Sequence, residues 1–245
     1  MLTSPLCRWL VHRGRLGEAR QVLQSIARCN NNTIAEATLQ ALAPPPPTQA
    51  SLAGAVRAVR GRLAVLCLLW FATALCYYGL HYATPRLAGS LATNFSLLAA
   101  TEMVASVTAH LVLLPRCGRT PTLVTGLLLC SALLLASAAP PPAPPLAWLQ
   151  LGLTVAGKFA ATTNFNSVYF YTVEQVPLPL RSASLGLCST AGRAGAVVAV
   201  AAAQLAWVSP HLPALVMAAP ATIAALLLCK MPRQENKNCV LPDTE

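Results

Sequence analysis

The chain has 245 residues, of which 56% are hydrophobic and only 10% are charged. Because a soluble domain typically carries about 25% charged residues, this composition excludes an ordinary soluble domain and indicates a protein built for lipid. The formal net charge is +10, and the basic residues lie between apolar segments, which favours membrane topology over a nucleic-acid partner.

The nine cysteines and four histidines carry no metal-site pattern. The sequence has no Cys-x-x-Cys pair and no histidines at ligand spacing, and most cysteines lie inside apolar segments. Such cysteines are typical of helix packing, so we expect no metal and no cofactor. The sequence also lacks a Ser/His/Asp set, a His-Glu-x-x-His motif and a phosphate-binding loop, which argues against an enzyme.

Residues 1–62 are predicted to form a cytoplasmic helical segment. Apolar residues recur at helical spacing around 15–29 and predict an amphipathic helix there. A second short helix is predicted over 34–42, and the four prolines Pro44–Pro47 form a stiff spacer. A further basic helix, "LAGAVRAVRGR", leads into the membrane.

Six membrane-spanning helices are predicted next, each close to the ~20 residues that a bilayer requires. Ala, Leu and Val dominate these segments, which suits helices better than membrane strands. We therefore predict an all-α membrane protein, with a six-helix transmembrane bundle over 63–230 and a cytoplasmic tail over 231–245. The spans are predicted near 63–84, 92–114, 121–139, 146–172, 183–207 and 211–230.

The loops between the spans set the predicted orientation. The uncharged connector Ala139–Pro145 is proline-rich and cannot continue a helix, and the stretches 115–120 and 173–182 are charged and turn-forming. If these two stretches share one side with residues 1–62 and 230–245, that side holds fourteen of the seventeen Lys and Arg residues. The positive-inside rule then places both termini in the cytoplasm.

Three charged residues lie inside the spans: Glu102, Lys158 and Arg193. Counted from the span ends at about 1.5 Å per residue, each is about 15–18 Å deep, near the midplane of the bilayer. Charges from three helices at one depth suggest a shared polar cavity of the kind that transporters use for substrate. Alternatively, Glu102 pairs with Lys158 or Arg193 and only holds helices together. Even then one cation is left over, which favours an anionic ligand.

Other residues of the spans leave their roles open. Tyr77 and Tyr78, in "WFATALCYYGLHY", either line a cavity or belong to an interfacial aromatic belt, and Tyr82 is interpreted as an interfacial anchor. Asn164 and Asn166 need polar partners within the membrane, and packing is their default role. Glycines and alanines of the fifth span, at small-xxx-small spacing, predict close helix approach.

These segments together resemble one known family. "YTVEQVPLPLRSASLGLCSTAGRAG" resembles the signature between the tenth and eleventh helices of solute carrier family 22, the organic-ion transporters of the major facilitator superfamily. "WFATALCYYGL" is similar to the seventh helix of the organic anion transporters, and "AGKFAATTNFNSVYFY" to their tenth. "PRCGRTPTL" is similar to the Asp-Arg-x-Gly-Arg-Arg loop of the superfamily, with Pro115 in place of the usual Asp and Thr120 in place of an Arg.

The resemblance covers the second six-helix half of such a transporter and points to its organic anion or orphan branch. It implies a substrate pathway between two halves, with Arg193 at a position where anion carriers have a cation and cation carriers an acid. It also implies that a cytoplasmic charge network, rather than the substrate site, contains Arg116, Arg119, Glu174 and Arg181.

The sequence therefore predicts a multi-pass transporter of the plasma membrane that carries organic anions by alternating access. Its substrate contacts are predicted to be Arg193, Lys158, Tyr77, Tyr78, Glu102 and Asn164. A six-helix chain needs a copy of itself or an N-terminal half to complete a pathway. The alternative is a receptor-like or truncated half-carrier that binds or regulates without transporting.

Overall fold

The computed structural model describes residues 7, 10–11, 13–30, 34, 52–139, 144–177, 180–209 and 211–231. The predicted helix over 34–42, the proline spacer and the tail over 231–245 lie outside the described residues, apart from residues 34 and 231 themselves. The chain divides into two compact units, residues 1–55 and residues 56–245.

The first unit contains helix α1, Leu16–Cys29, as predicted. Its buried face includes Ala19, against which Cys7 and Leu10 pack, with three partly buried hydrophobic residues around them. Gly14 adopts a φ of +73°, and its amide donates to the Val11 carbonyl at 3.0 Å. This left-handed turn, which glycine tolerates at no steric cost, brings the residues on both sides of it together.

The second unit is a bundle of six long helices. They are α2 (Leu52–Ala83), α3 (Leu91–Thr108), α4 (Arg119–Ala138), α5 (Pro144–Gln175), α6 (Arg181–Gln204) and α7 (Leu212–Lys230). Five segments are long and apolar enough to cross a membrane: Val59–Arg86, Leu91–Cys117, Arg119–Ala138, Arg181–Trp207 and Leu212–Lys230. Helix α5 falls outside this group, although its 32 residues exceed the length required, because Lys158 and its Thr and Asn residues make it more polar. Most of these polar residues are buried among neighbouring helices.

Several predicted boundaries were wrong. The basic helix before the first span is not separate, because α2 runs without a break from Leu52 to Ala83. Helix α5 begins at Pro144, inside the predicted connector, since proline is tolerated in the first turn of a helix. The stretch 115–120 is mostly helical and is interrupted only at Gly118, whose φ is +81°.

The bundle packs α4 between α5 and α7, and α3 lies against α5. Helix α2 is tied to α5 where the Trp70 indole Nε1 donates to Thr172 Oγ1 at 2.8 Å. It approaches α6 closely, because a Cβ at Gly195 would collide with the backbone carbonyl of Phe71, and one at Gly192 would lie 3.2 Å from the Trp70 ring. The close approach predicted from small residues is therefore confirmed at these two glycines, whereas Gly186 faces open space.

Candidate functional site

The ammonium of Lys158 is buried where three helices meet. The residue is completely inaccessible to solvent, and its Nζ lies 2.6 Å from Oε1 of Glu102 on α3. It also donates to the backbone carbonyl of Tyr77 on α2 at 3.2 Å and lies 3.4 Å from the centroid of the Tyr77 ring. An ionisable group inside a membrane helix requires such partners. Of the two pairings left open by the sequence, Glu102 with Lys158 is the one that forms.

A second nitrogen shares the same carboxylate oxygen. His81 Nε2 of α2 lies 2.8 Å from Oε1 of Glu102. The side chains of His81 and Glu102 are 30% and 26% exposed, whereas that of Lys158 is 0% exposed. His81 is not among the site residues predicted from the sequence, although its i,i+4 spacing from Tyr77 places both on one face of α2.

Aromatic rings line the same region. Tyr77 packs edge-on against Tyr78 at 5.1 Å between ring centroids and stacks on Phe165 of α5 at 4.8 Å. Tyr169 extends this wall from Phe165 towards Trp70. The structure therefore brings Tyr77 and Tyr78 together with Lys158 and Glu102. Tyr82, at the end of α2, is outside this cluster and 44% exposed.

Arg193 stands apart from the cluster. It is exposed on α6, next to Gly192, which packs against Trp70 of α2. Among the described residues its guanidinium makes no hydrogen bond or ion pair. Lys158 and Glu102 neutralise each other, so Arg193 is the cation left over.

The two asparagines of α5 differ in their partners. Asn166 donates to Ser106 Oγ of α3 at 2.9 Å, which fits a packing role. Asn164 is 1% exposed, and neither atom of its amide has a hydrogen-bond partner among the described residues. Its amide occupies the space left by Gly126 of α4, where a Cβ would collide with Asn164 Oδ1. The structure does not bring Asn164 to the Lys158 cluster by any described contact.

Two of the four residues predicted for the charge network form an ion pair. Arg119 at the start of α4 pairs with Glu174 near the end of α5, and the Arg119 guanidinium lies 5.8 Å from the centroid of the Phe170 ring. Arg181 donates instead to the Val176 carbonyl at 3.1 Å, and Arg116 is exposed.

Comparison with known proteins shows which proteins the chain is similar to. It is 32% identical over 244 residues to organic cation/carnitine transporter 2 of Rattus norvegicus, and 29% identical over 248 residues to solute carrier family 22 member 6 of the same species. It is 28% identical over 251 residues to the organic cation transporter protein of Drosophila melanogaster. Each alignment covers 97% of this chain, but 43%, 44% and 45% of the respective relative.

The chain thus spans less than half the length of these curated relatives. Their names are those of transporters or solute carriers, so the prediction that the chain is not an enzyme is confirmed. The family described as "Sugar (and other) transporter" matches residues 1–227. The chain belongs to this transporter family, and it is similar to members of solute carrier family 22, the family that its motifs resemble.

Proposed function

We propose that this chain is a multi-pass plasma-membrane transporter that carries organic anions by alternating access, through secondary transport or exchange. The observation that carries the proposal is the contrast between Lys158 and Arg193, the two cations predicted to lie near the midplane of the bilayer. Lys158 has the carboxylate of Glu102 at 2.6 Å, whereas the exposed Arg193 has no partner among the described residues. An unpaired guanidinium near the centre of a membrane costs about 2.5–3.5 kcal/mol on insertion scales, so it marks a substrate pathway.

The sign of the leftover charge supports an anion. Glu102 and Lys158 sum to zero, and Arg193 adds one positive charge that a carboxylate or sulfonate of the substrate would neutralise. Two of the relatives above are named for organic cations. The proposed preference for anions therefore differs from the substrate class in those two names. It rests on Arg193, which lies at a position where the resemblance associates a cation with anion carriers.

The aromatic wall supports an organic substrate. Tyr77 and Tyr78 are half-buried, and with Phe165 they offer ring faces beside the paired charges. Such surfaces bind the apolar part of a ligand while one charged group fixes its orientation. Lys158 and Glu102 border this aromatic wall and would shape the substrate pathway. Asn164, which is buried on α5, would contribute to the lining of the same pathway.

The pathway would be completed by a second body. Repeats of this superfamily are parallel halves, so either a second copy of the chain or an N-terminal half would face the exposed side of α6. Both termini would lie in the cytoplasm, as the distribution of basic residues indicates.

Uptake of a fluorescent organic anion into cells tests the proposal. The wild-type chain should give saturable uptake, and Arg193→Ala should abolish it at matched surface expression, because the substrate loses its counter-charge. Arg60→Ala, which removes another exposed cation from the first half of α2, is the matched control and should retain uptake. Unchanged uptake in Arg193→Ala would contradict the proposal.

A receptor-like half-carrier is the second candidate. It is favoured by the sparse charge network, in which only Arg119 and Glu174 form an ion pair among the described residues. This function predicts that the chain binds the labelled anion at the cell surface, in a manner that requires Arg193, without accumulating it inside.

A further inference from the structure

The cluster of His81, Glu102 and Lys158 has no part in the anion contact assigned to Arg193. Each member comes from a different helix: α2, α3 and α5. A single carboxylate oxygen, Glu102 Oε1, lies 2.8 Å from His81 Nε2 and 2.6 Å from Lys158 Nζ. The cluster thus joins two fixed charges to one imidazole.

With Glu102 ionised and Lys158 protonated, the charge of this cluster follows that of His81. Glu102 and Lys158 cancel, so the cluster is neutral when the imidazole is neutral and carries one positive charge when the imidazole is protonated. Histidine is the side chain whose unperturbed charge changes between pH 5 and 8. His81 Nε2 lies 2.8 Å from Glu102 Oε1, so the carboxylate is placed to stabilise a protonated imidazole.

The imidazole is open to solvent, while the lysine is not. The side chains of His81 and Glu102 are 30% and 26% exposed, and that of Lys158 is 0% exposed. His81 lies two residues before the end of α2 at Ala83, about 3 Å along the helix axis. In the predicted orientation this end of α2 is extracellular, so a proton reaches His81 from outside without passing Lys158.

The groups around His81 are few. Tyr77 of its own helix lies 5.3 Å away between ring centroids, and it faces Glu102 from α3 and Lys158 from α5. Arg193 of α6 makes no described contact with the imidazole. None of the remaining charged or titratable groups described on or next to the helices of the bundle other than α2 contacts His81 among the described interactions. These groups are His110, Arg116, Cys117, Arg119, Cys130, Tyr169, Tyr171, Glu174, Arg181, Cys188, His211, Cys229 and Lys230.

We propose that His81 and Glu102 form a proton-binding site, and that the proton taken up there is the coupling ion that enters with the organic anion. This inference rests on the proposed function. One proton binds the imidazole of His81 as one anion binds Arg193, and both leave on the cytoplasmic side, so the pair carries no net charge. By thermodynamic linkage, the bound proton raises the affinity for the anion, and the anion raises the affinity for the proton.

Anion binding measured against pH tests the coupling. The full chain is placed in lipid nanodiscs, and binding of a fluorescent organic anion is followed by anisotropy between pH 5.5 and 8. The wild-type affinity should rise at least fivefold towards acid pH, the lower end of typical coupling between sites. His81→Gln, which keeps a hydrogen-bond donor for Glu102, should bind with an affinity that does not change with pH.

His211→Gln is the matched control, because this exposed histidine lies in the turn before α7, and it should behave as the wild type does. Wild-type binding without pH dependence, or a dependence that survives in His81→Gln, would overturn the coupling. If Arg193→Ala loses anion binding at every pH, the proposed function is supported. If this variant still binds the anion, the proposed function is contradicted, and the proton site is decided separately.

Histidine-selective NMR separates the two failures. If no variant binds the anion, the proposed function fails, and the proton site is decided by the ¹⁵N signal of His81, identified by its absence in His81→Gln. This signal should respond to pH, and its response should change in Glu102→Gln, because the carboxylate lies 2.8 Å from the imidazole. A His81 signal that does not titrate, or is unmoved in Glu102→Gln, would overturn the site.

Discussion

Two cations in long helices of the same bundle have opposite surroundings. Lys158 is 0% exposed and has a carboxylate at 2.6 Å, a backbone carbonyl and an aromatic ring around it. Arg193 is exposed on α6 and has none of these among the described residues. Depth along a membrane helix therefore does not fix the role of a charged residue, whereas the partners of that residue do. The cation without a partner among the described residues is the one that we propose contacts substrate.

The largest expected effect comes from breaking the buried pair. Glu102→Gln leaves the ammonium of Lys158 without a counter-charge, which should destabilise the bundle by about 3–5 kcal/mol. Unfolding of the chain by SDS in mixed micelles, followed by circular dichroism, measures this loss. The double variant Glu102→Gln/Lys158→Met should recover most of it, since replacing both members of a buried pair is often neutral.

Glu174→Gln is the control for that variant. The Arg119–Glu174 pair is 37% and 40% exposed, and exposed pairs contribute about 0–1 kcal/mol. Equal losses of stability in Glu102→Gln and Glu174→Gln would show that burial does not distinguish the two pairs and would remove the basis of the comparison.

An intermediate effect on stability is expected where α6 packs against α2. Gly195→Ala places a methyl group against the Phe71 carbonyl oxygen, and overpacking of this kind costs about 1–3 kcal/mol. Gly186→Ala, on the same helix but facing open space, should change stability by less than about 0.5 kcal/mol. The same SDS titration compares the stability of the two variants. Equal losses of stability would contradict the close packing of α6, the helix that contains Arg193, against α2.

The smallest effect concerns the ring beneath Lys158. Tyr77→Leu removes the aromatic face that lies 3.4 Å from the ammonium, which should cost up to about 2 kcal/mol where the cation is desolvated. Tyr77→Phe keeps that face and should retain most of this stabilisation. If both variants lose the same stability, the hydroxyl rather than the ring face supports Lys158.

Much of the fold was predictable because it follows from local chemistry. Hydropathy placed the helices, and the period of apolar residues placed α1. Boundaries failed at Pro144, which begins a helix, and at residues 62–63, where the basic helix and the first span form one continuous helix. The first error came from reading a proline as a break in a place where the backbone tolerates it.

The site was predictable only in its parts. Charge counting found Glu102, Lys158 and Arg193, but it left two pairings open, because the choice depends on which helices pack together. His81 was missed for the same reason, since its contact with Glu102 joins α2 to α3 across the bundle. Hydrophobic patterning does not encode such a contact, and only the i,i+4 relation of His81 to Tyr77 pointed towards it.

The most direct test measures anion affinity and stability on the same sample of the Arg193→Ala variant in nanodiscs. Removing one partner of a desolvated charge contact costs about 2 kcal/mol or more of binding, a loss of about 30-fold or more. Arg193→Ala should show this loss of affinity together with a stability within about 0.5 kcal/mol of the wild type, because the guanidinium has no described partner in the bundle. Unchanged affinity, or a loss of stability as large as that in Glu102→Gln, would contradict the proposed role of Arg193 as the counter-charge of the substrate.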